Sequence, residues 1–304
     1  MDKIDNQTII IGDAIQELKN IPDNSVDLII TDPPYNLNKD YEKTKDNLEF
    51  EEYIEFSRNW LKECKRILKN TGTIYVFMGM RYIAYIYMIL EKELQLNFCS
   101  WITWHYTQGI GKTKGFSPRH DDILMFTVDK KDYTFNLDAI RVPQKYYRSI
   151  NNMRGANPGN VWEFSHMHYC NDNRFSHPTQ KPEGLYERMV LASSNENDII
   201  LDPFLGSGTL LRVCQQTNRN GIGIEINENY IEIVKKRLNM PFNGFDSIDS
   251  RMKRCPNDLN DKNIRDDYIN NHIEWFLNNH EDAVTEFMEE VNSKYSTKSQ
   301  LSLF

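Results

Sequence analysis

The run Asp27-Leu28-Ile29-Ile30-Thr31 leads into Asp32-Pro33-Pro34-Tyr35-Asn36, a buried-strand pattern ending in an acid, two prolines and an aromatic. Proline fixes its own φ and restricts the residue before it, so the Asp32 side chain and the carbonyls of Asp32 and Pro33 are held at the strand end. In open α/β sheets that carboxyl edge is where ligands bind. Fixed acceptors there suit alkylation of the exocyclic amine of a nucleobase, whose lone pair is delocalised into the ring. A carboxylate and a carbonyl aimed at its two N–H bonds stabilise the charge that builds on nitrogen as the alkyl group arrives. Tyr35 offers a face on which the base stacks. The competing reading is a proline-rich turn with Tyr35 as a packing residue.

A second stretch, Asp202-Pro203-Phe204-Leu205-Gly206-Ser207-Gly208-Thr209, again follows a strand pattern and precedes a helical one. Glycines at 206 and 208 permit close backbone approach, and the N-terminus of the following helix favours a carboxylate, which suits a cofactor bearing an amino acid. About twenty residues on, Gly221-Ile222-Gly223-Ile224-Glu225 ends another strand in an acid, the position that binds ribose hydroxyls in nucleotide sites of this architecture. A structural tight turn with a solvated Glu225 is the alternative.

Together these motifs resemble the S-adenosylmethionine-dependent DNA amino-methyltransferases that modify adenine N6 or cytosine N4, over about residues 5 to 240. The resemblance implies that Asp32, Pro33, Pro34 and Tyr35 are catalytic. It also implies that Asp32, Asp202, Phe204, Gly206, Gly208 and Thr209 bind S-adenosyl-L-methionine, with Glu225 on its ribose. His177-Pro178-Thr179-Gln180-Lys181-Pro182 is similar to the family segment preceding the cofactor strand, which implies that Thr179 and Lys181 lie near the methionine carboxylate; a capped helix start is the rival reading. The tetrad precedes the cofactor motif by 170 residues, the order called class β. That order implies a circularly permuted, Rossmann-like doubly wound α/β sheet of seven strands, with an inserted target-recognition segment. Its N-terminal strand would lie beside the one ending at Glu225, so Asp13 and Ala14 reach the cofactor adenine; otherwise Asp13 is an N-cap. A tetrad beginning with Asp favours adenine N6, with cytosine N4 as the first alternative and an inactive DNA- or clamp-binding module as the second. The target base must be flipped out of double-stranded DNA to reach such a pocket.

The elements that must position these residues alternate. Strand patterns fall at 8–11, 26–31, 73–78, 98–103, 123–128, 199–201 and 222–226, and helical periodicity at 50–68, 81–94, 184–192, 209–216 and 229–238. Residues 129–176 break the rhythm and cluster Arg141, Lys145, Tyr146, Tyr147, Arg148 and Arg154. The chain therefore divides into a catalytic part (1–128), a recognition insertion (129–176), a cofactor-binding part (177–240) and an acidic helical extension with a flexible tail (241–304). Trp104 and Tyr106 are candidates for a second wall of the base pocket, with core packing an equal alternative.

Thirty-six Lys and Arg against 44 Asp and Glu give a net charge of −8, which excludes a protein held to nucleic acid by bulk charge alone. DNA contact must be local: residues 108–154 carry nine Lys and Arg against five Asp. Lys39, Lys43, Lys112, Lys114, Arg141, Lys145, Arg148 and Arg154 are the candidate DNA contacts. No run of about 18 apolar residues occurs and the N-terminus is too polar for a signal peptide, so a cytoplasmic protein without membrane association is expected. Five scattered cysteines indicate neither a disulfide framework nor a four-thiolate zinc site. The cluster His166, His168, Cys170 and His177 has irregular spacing, and methyl transfer needs no Lewis acid; no metal is expected. The C-terminal Gln300-Leu301-Ser302-Leu303-Phe304 resembles the bacterial sliding-clamp-binding pentapeptide, implying that Gln300, Leu301, Leu303 and Phe304 dock on a clamp; docking on the chain's own core is the alternative. Family members are often dimers, so a homodimer is one reading by analogy and a monomer the other; the sequence leaves the oligomeric state open.

Overall fold

The computed structural model of the 304-residue chain describes residues 1–37, 46–106, 111–143, 155–165 and 175–245. Its strands are β1 (Asp2–Ile4), β2 (Gln7–Ile11), β3 (Val26–Thr31), β4 (Leu68–Met78), β5 (Asn97–His105), β6 (His120–Thr127), β7 (Val161–Glu163), β8 (Ile199–Asp202) and β9 (Asn220–Glu225). They form one mixed sheet in the order β1-β2-β9-β8-β3-β4-β6-β5-β7. The central strands β2, β9, β8, β3 and β4 run parallel, and β6 is antiparallel to both β4 and β5. Leu28, Ile29 and Ile30 are fully buried, the continuous apolar run expected of a parallel strand covered on both faces.

All seven expected strands are present, and β2 lies beside β9 with Ile11 opposite Glu225. The expected width of seven is corrected to nine among the described residues. The two additions, β1 and β7, are three-residue edge strands, too short to carry a periodic signal. β7 comes from within 129–176 and pairs with β5 through Trp104 and Trp162, so part of that stretch belongs to the sheet.

The helices are α1 (Ala14–Leu18), α2 (Phe50–Ile67), α3 (Ile83–Met88), α4 (Glu183–Ser193), α5 (Thr209–Gln216) and α6 (Glu228–Leu238). α2 starts at a capping box between Glu49 and Glu52 and buries Tyr53, Ile54, Trp60, Leu61 and Cys64 at helical spacing. The helix expected at 81–94 is shorter, because Ile89–Glu93 forms a π-turn. From β3 the chain moves outward to β4, whereas from β8 it moves the other way to β9. This reversal opens a crevice beyond the carboxyl ends of β3 and β8.

The chain separates into two units, one comprising Met1–Asn136 with Gly159–Asp249 and containing the whole sheet, the other including Leu137–Pro158. In the second unit Arg141 pairs with Asp138 at 2.6 Å and donates to the Gly155 carbonyl at 2.9 Å, and Val142 bridges to Ala156. Among the described residues, Cys64, Cys99 and Cys214 are free thiols, and no helix is long and apolar enough to cross a membrane.

Candidate active site

The carboxyl ends of β2, β3, β8 and β9 converge on a cavity of about 280 Å³. The parallel register brings this about: Ile11 pairs with Glu225, Asp202 with Gly223, and Leu28 and Ile29 with Ile200 and Leu201, so the acids that end these strands share one edge. Asp13, Ala14, Asp32, Thr179, Lys181, Asp202, Phe204, Gly206, Thr209 and Glu225 all line the cavity. Residues separated by up to 212 positions in sequence are thereby brought together.

At one end, Asp32 is held between two side chains. The Tyr35 hydroxyl donates to Asp32 Oδ1 at 2.6 Å, and the Lys181 ammonium donates to Oδ2. Lys181 Nζ also lies 5.6 Å from the ring centroids of both Tyr35 and Phe77. Lys181, expected near the methionine carboxylate, lines the cavity; its side chain is 6% exposed, and an ammonium so desolvated needs a charged partner, which Asp32 supplies. Burial first, then the charges of Asp32 and Asp121, holds the Tyr35 hydroxyl well above its ordinary pKa, so it remains a donor. Tyr35 does not line the cavity; its ring covers Gly79, where a Cβ would sit 3.3 Å from it. Pro34, in turn, gives its carbonyl to the Tyr53 hydroxyl at 2.7 Å. The backbone through Asp32 and Pro33 is thus pinned by prolines and by α2.

At the other end, Glu225 is enclosed rather than solvated. Its two carboxylate oxygens accept from the backbone amides of Gly206 and Asn227, each at 2.8 Å, and burial raises its pKa. The Ile226 amide also hydrogen-bonds this carboxylate, so the side chain is held in place by its own backbone surroundings at the cavity edge. Asp202 accepts from the Phe204 amide at 3.0 Å, and burial pushes its pKa up to about 8, with the nearby Asp32 charge adding to the shift. Gly206 and Gly208 both have left-handed backbone, φ +53° and +80°. A Cβ would sit 2.9 Å from His177 Nε2 at the first and 2.9 Å from Val234 of α6 at the second. The glycines therefore admit protein neighbours; Gly206 lines the cavity and Gly208 sits against Val234 of α6. Asp13 caps α1 by accepting from the Gln16 amide at 3.1 Å while also facing the cavity.

Sequence reasoning missed Arg237. This α6 residue is 3% exposed, donates to the Ser207 carbonyl at 2.9 Å and to Thr209 Oγ1 at 3.1 Å, and pairs with Glu183 at 2.6 Å. Thr209 Oγ1 donates onward to the Lys181 carbonyl at 3.2 Å. The only local signal was a cation in the last turn of a helix, which normally reads as a dipole partner.

The rim holds further differences. Trp104 is fully buried, donates from Nε1 to the Phe164 carbonyl at 2.9 Å and packs edge-on against Phe77. It is a core residue, which removes it as a base-pocket wall; Tyr106 donates to Asp121 at 3.3 Å. Asp46, also missed, accepts from the amides of Asn36 at 2.6 Å and Leu37 at 2.9 Å, while the Asn36 side chain bonds Leu48 and Tyr82. Together they staple the two ends of the loop after the tetrad. Lys112 and Lys114 are exposed on the loop between β5 and β6. Lys39, Lys43, Lys145, Arg148, Arg154, His166, His168, Cys170 and the tail residues Gln300, Leu301, Leu303 and Phe304 lie outside the described residues. His177 Nδ1 accepts from the Thr179 amide at 3.3 Å, and its ring meets Tyr230 edge-on.

Such an edge, with a proline-braced acid at one end and an amide-bound acid at the other, fits a nucleoside carrying an amino acid beside a polar amine. Residues 26–236 match the family described as DNA methylase; the chain belongs to that family. It is 69% identical over 293 residues to the Type II methyltransferase M.HpaI of Haemophilus parainfluenzae, covering 96% of this chain and 93% of that protein. It is 40% identical over 246 residues to the DNA adenine methyltransferase YhdJ of Escherichia coli K12, covering 77% and 83%. Among solved structures, the M1.HpyAVI–SAM complex superposes with a TM-score of 0.56 at 26% identity, covering 77% of this chain and all of that one.

Proposed function

We propose that this DNA methyltransferase transfers a methyl group from S-adenosyl-L-methionine to the N6 amine of a specific adenine in double-stranded DNA. The observation that carries the reading is the convergence of Asp32 and Glu225 on one cavity, and its similarity to an adenine methyltransferase favours adenine over cytosine. S-adenosyl-L-methionine supplies a methyl group on a positively charged sulfur. Glu225 offers its carboxylate to ribose hydroxyls, and Asp13 and Ala14 lie at the end expected to take the adenine ring. Tyr35 and Lys181 occupy one lone pair on each Asp32 oxygen, leaving the others for an amine N–H. Asp32 then stabilises the charge growing on the nitrogen, and direct displacement needs no enzyme nucleophile.

Purified protein incubated with unmethylated DNA and S-adenosyl-L-methionine, followed by digestion to nucleosides and mass spectrometry, is expected to yield N6-methyladenine. N4-methylcytosine in its place would reassign the base, and neither product would overturn the reading. We also propose a cytoplasmic enzyme in which 129–176 contributes target recognition. The clamp-docking tail and homodimer belong to this proposal as well. Loss of clamp capture on Leu303→Ala/Phe304→Ala, and sedimentation at twice 36.0 kDa, are the corresponding expected results.

A further inference from the structure

The β5–β6 hairpin opens at the same edge of the sheet as Asp32. Thr31 of β3 pairs with Val76 of β4, Met78 of β4 lies opposite Asp122 of β6, and the β5–β6 ladder continues to His105 opposite His120. The hairpin thus projects past the tetrad, and its stem is firm. Trp104 is fully buried, Tyr106 bonds Asp121, and the Asp121 charge reaches the Tyr35 hydroxyl.

In the described part of this loop, residues 111–116 are exposed. A Cβ at Gly111 or Gly115 would meet nothing within 4 Å, Gly115 takes a left-handed turn at φ +84°, and the Lys112 amide donates to Ser117 Oγ at 2.8 Å. Phe116, next to that turn, is 100% exposed, between Lys114 and Arg119 in sequence. A large aromatic with no protein contact is unfavourable in water. Flanked by cations that suit phosphates, at the edge where a duplex must approach Asp32, it has one fitting occupant: the gap a base leaves when it swings out of the stack. We propose that Phe116 is a wedge that enters the DNA stack and holds the target base extruded toward Asp32; this rests on the function proposed above. Phe116 is a positioning residue and touches no reacting atom.

The test compares the wild-type chain with Phe116→Ala and Phe116→Trp on two duplexes bearing the wild-type methylation site. One is fully paired, and the other has an abasic site opposite the target, which makes extrusion cheap. Phe116→Ala is expected to lower kcat/KM about tenfold or more on the paired duplex and to come within about threefold of wild type on the abasic one. Phe116→Trp is expected to stay within about threefold on both. Equal losses on both duplexes, or no loss on either, would overturn the wedge. Absence of methylated base from the wild-type chain would instead overturn the activity beneath it.

Discussion

Asp32 and Asp202 stand at the ends of neighbouring parallel strands, and each precedes a proline. Their surroundings differ in kind. Asp32 is satisfied by two side chains, the Tyr35 hydroxyl and the Lys181 ammonium, and stays open to the cavity. Asp202 is 2% exposed and accepts from its own turn at the Phe204 amide. The β3 turn is stiffened by two prolines and by Tyr53 reaching the Pro34 carbonyl, whereas the β8 turn is bent by left-handed glycines and braced by Arg237. An acid satisfied by side chains from elsewhere in the chain, and open to the cavity, is placed to meet a substrate. An acid bound by its own backbone serves the shape of the turn.

If this contrast is right, the two turns fail differently. Asp32→Ala is expected to lower methyl transfer about 1000-fold, roughly 4 kcal/mol of transition-state stabilisation. Cofactor affinity by calorimetry should change less than about threefold; unchanged turnover would erase the distinction. Arg237→Met should instead act on the fold: it removes the buried Arg237–Glu183 pair and unbraces Ser207 and Thr209. Urea unfolding is expected to show a loss of about 3 kcal/mol. Gly208→Ala combines a backbone at φ +80° with a Cβ 2.9 Å from Val234, and about 2 kcal/mol should be lost in the same measurement. Adding Val234→Ala should recover only the steric part.

The sharpest difference in electrostatics is the smallest in effect per step. Asp202 titrates near 8 in the fold against 3.8 ordinarily, so between these values the native chain holds a proton that the unfolded chain releases. Its contribution to stability is present at low pH and falls as pH rises through the window. The slope approaches about 1.4 kcal/mol per pH unit in mid-window. Stability curves for wild type and Asp202→Asn between pH 5 and 7.5 are expected to diverge by that amount per unit.

The positions of β2, β3, β8 and β9, of α5 at Thr209–Gln216, and of eleven cavity residues, Pro34 among them, were legible in the sequence. Hydrophobic runs interrupted by Asp-Pro and Gly-x-Gly are local signals, and chain sterics at proline and glycine act within a few residues. Trp104 was ambiguous because an aromatic at a strand end reads alike whether it faces a ligand or Phe77. β1 and β7 escaped because three residues carry no period.

Local sequence alone determined which groups could do the chemistry: an acid at a rigid strand end, a glycine-bearing turn before a helix, and a second acid one strand further on. Only the tertiary structure decided how those groups are held. Lys181 meets Asp32 across 149 residues and Arg237 meets Glu183 across 54, and both pairings arise because burial makes a lone charge costly and compels a partner from wherever the fold brings one.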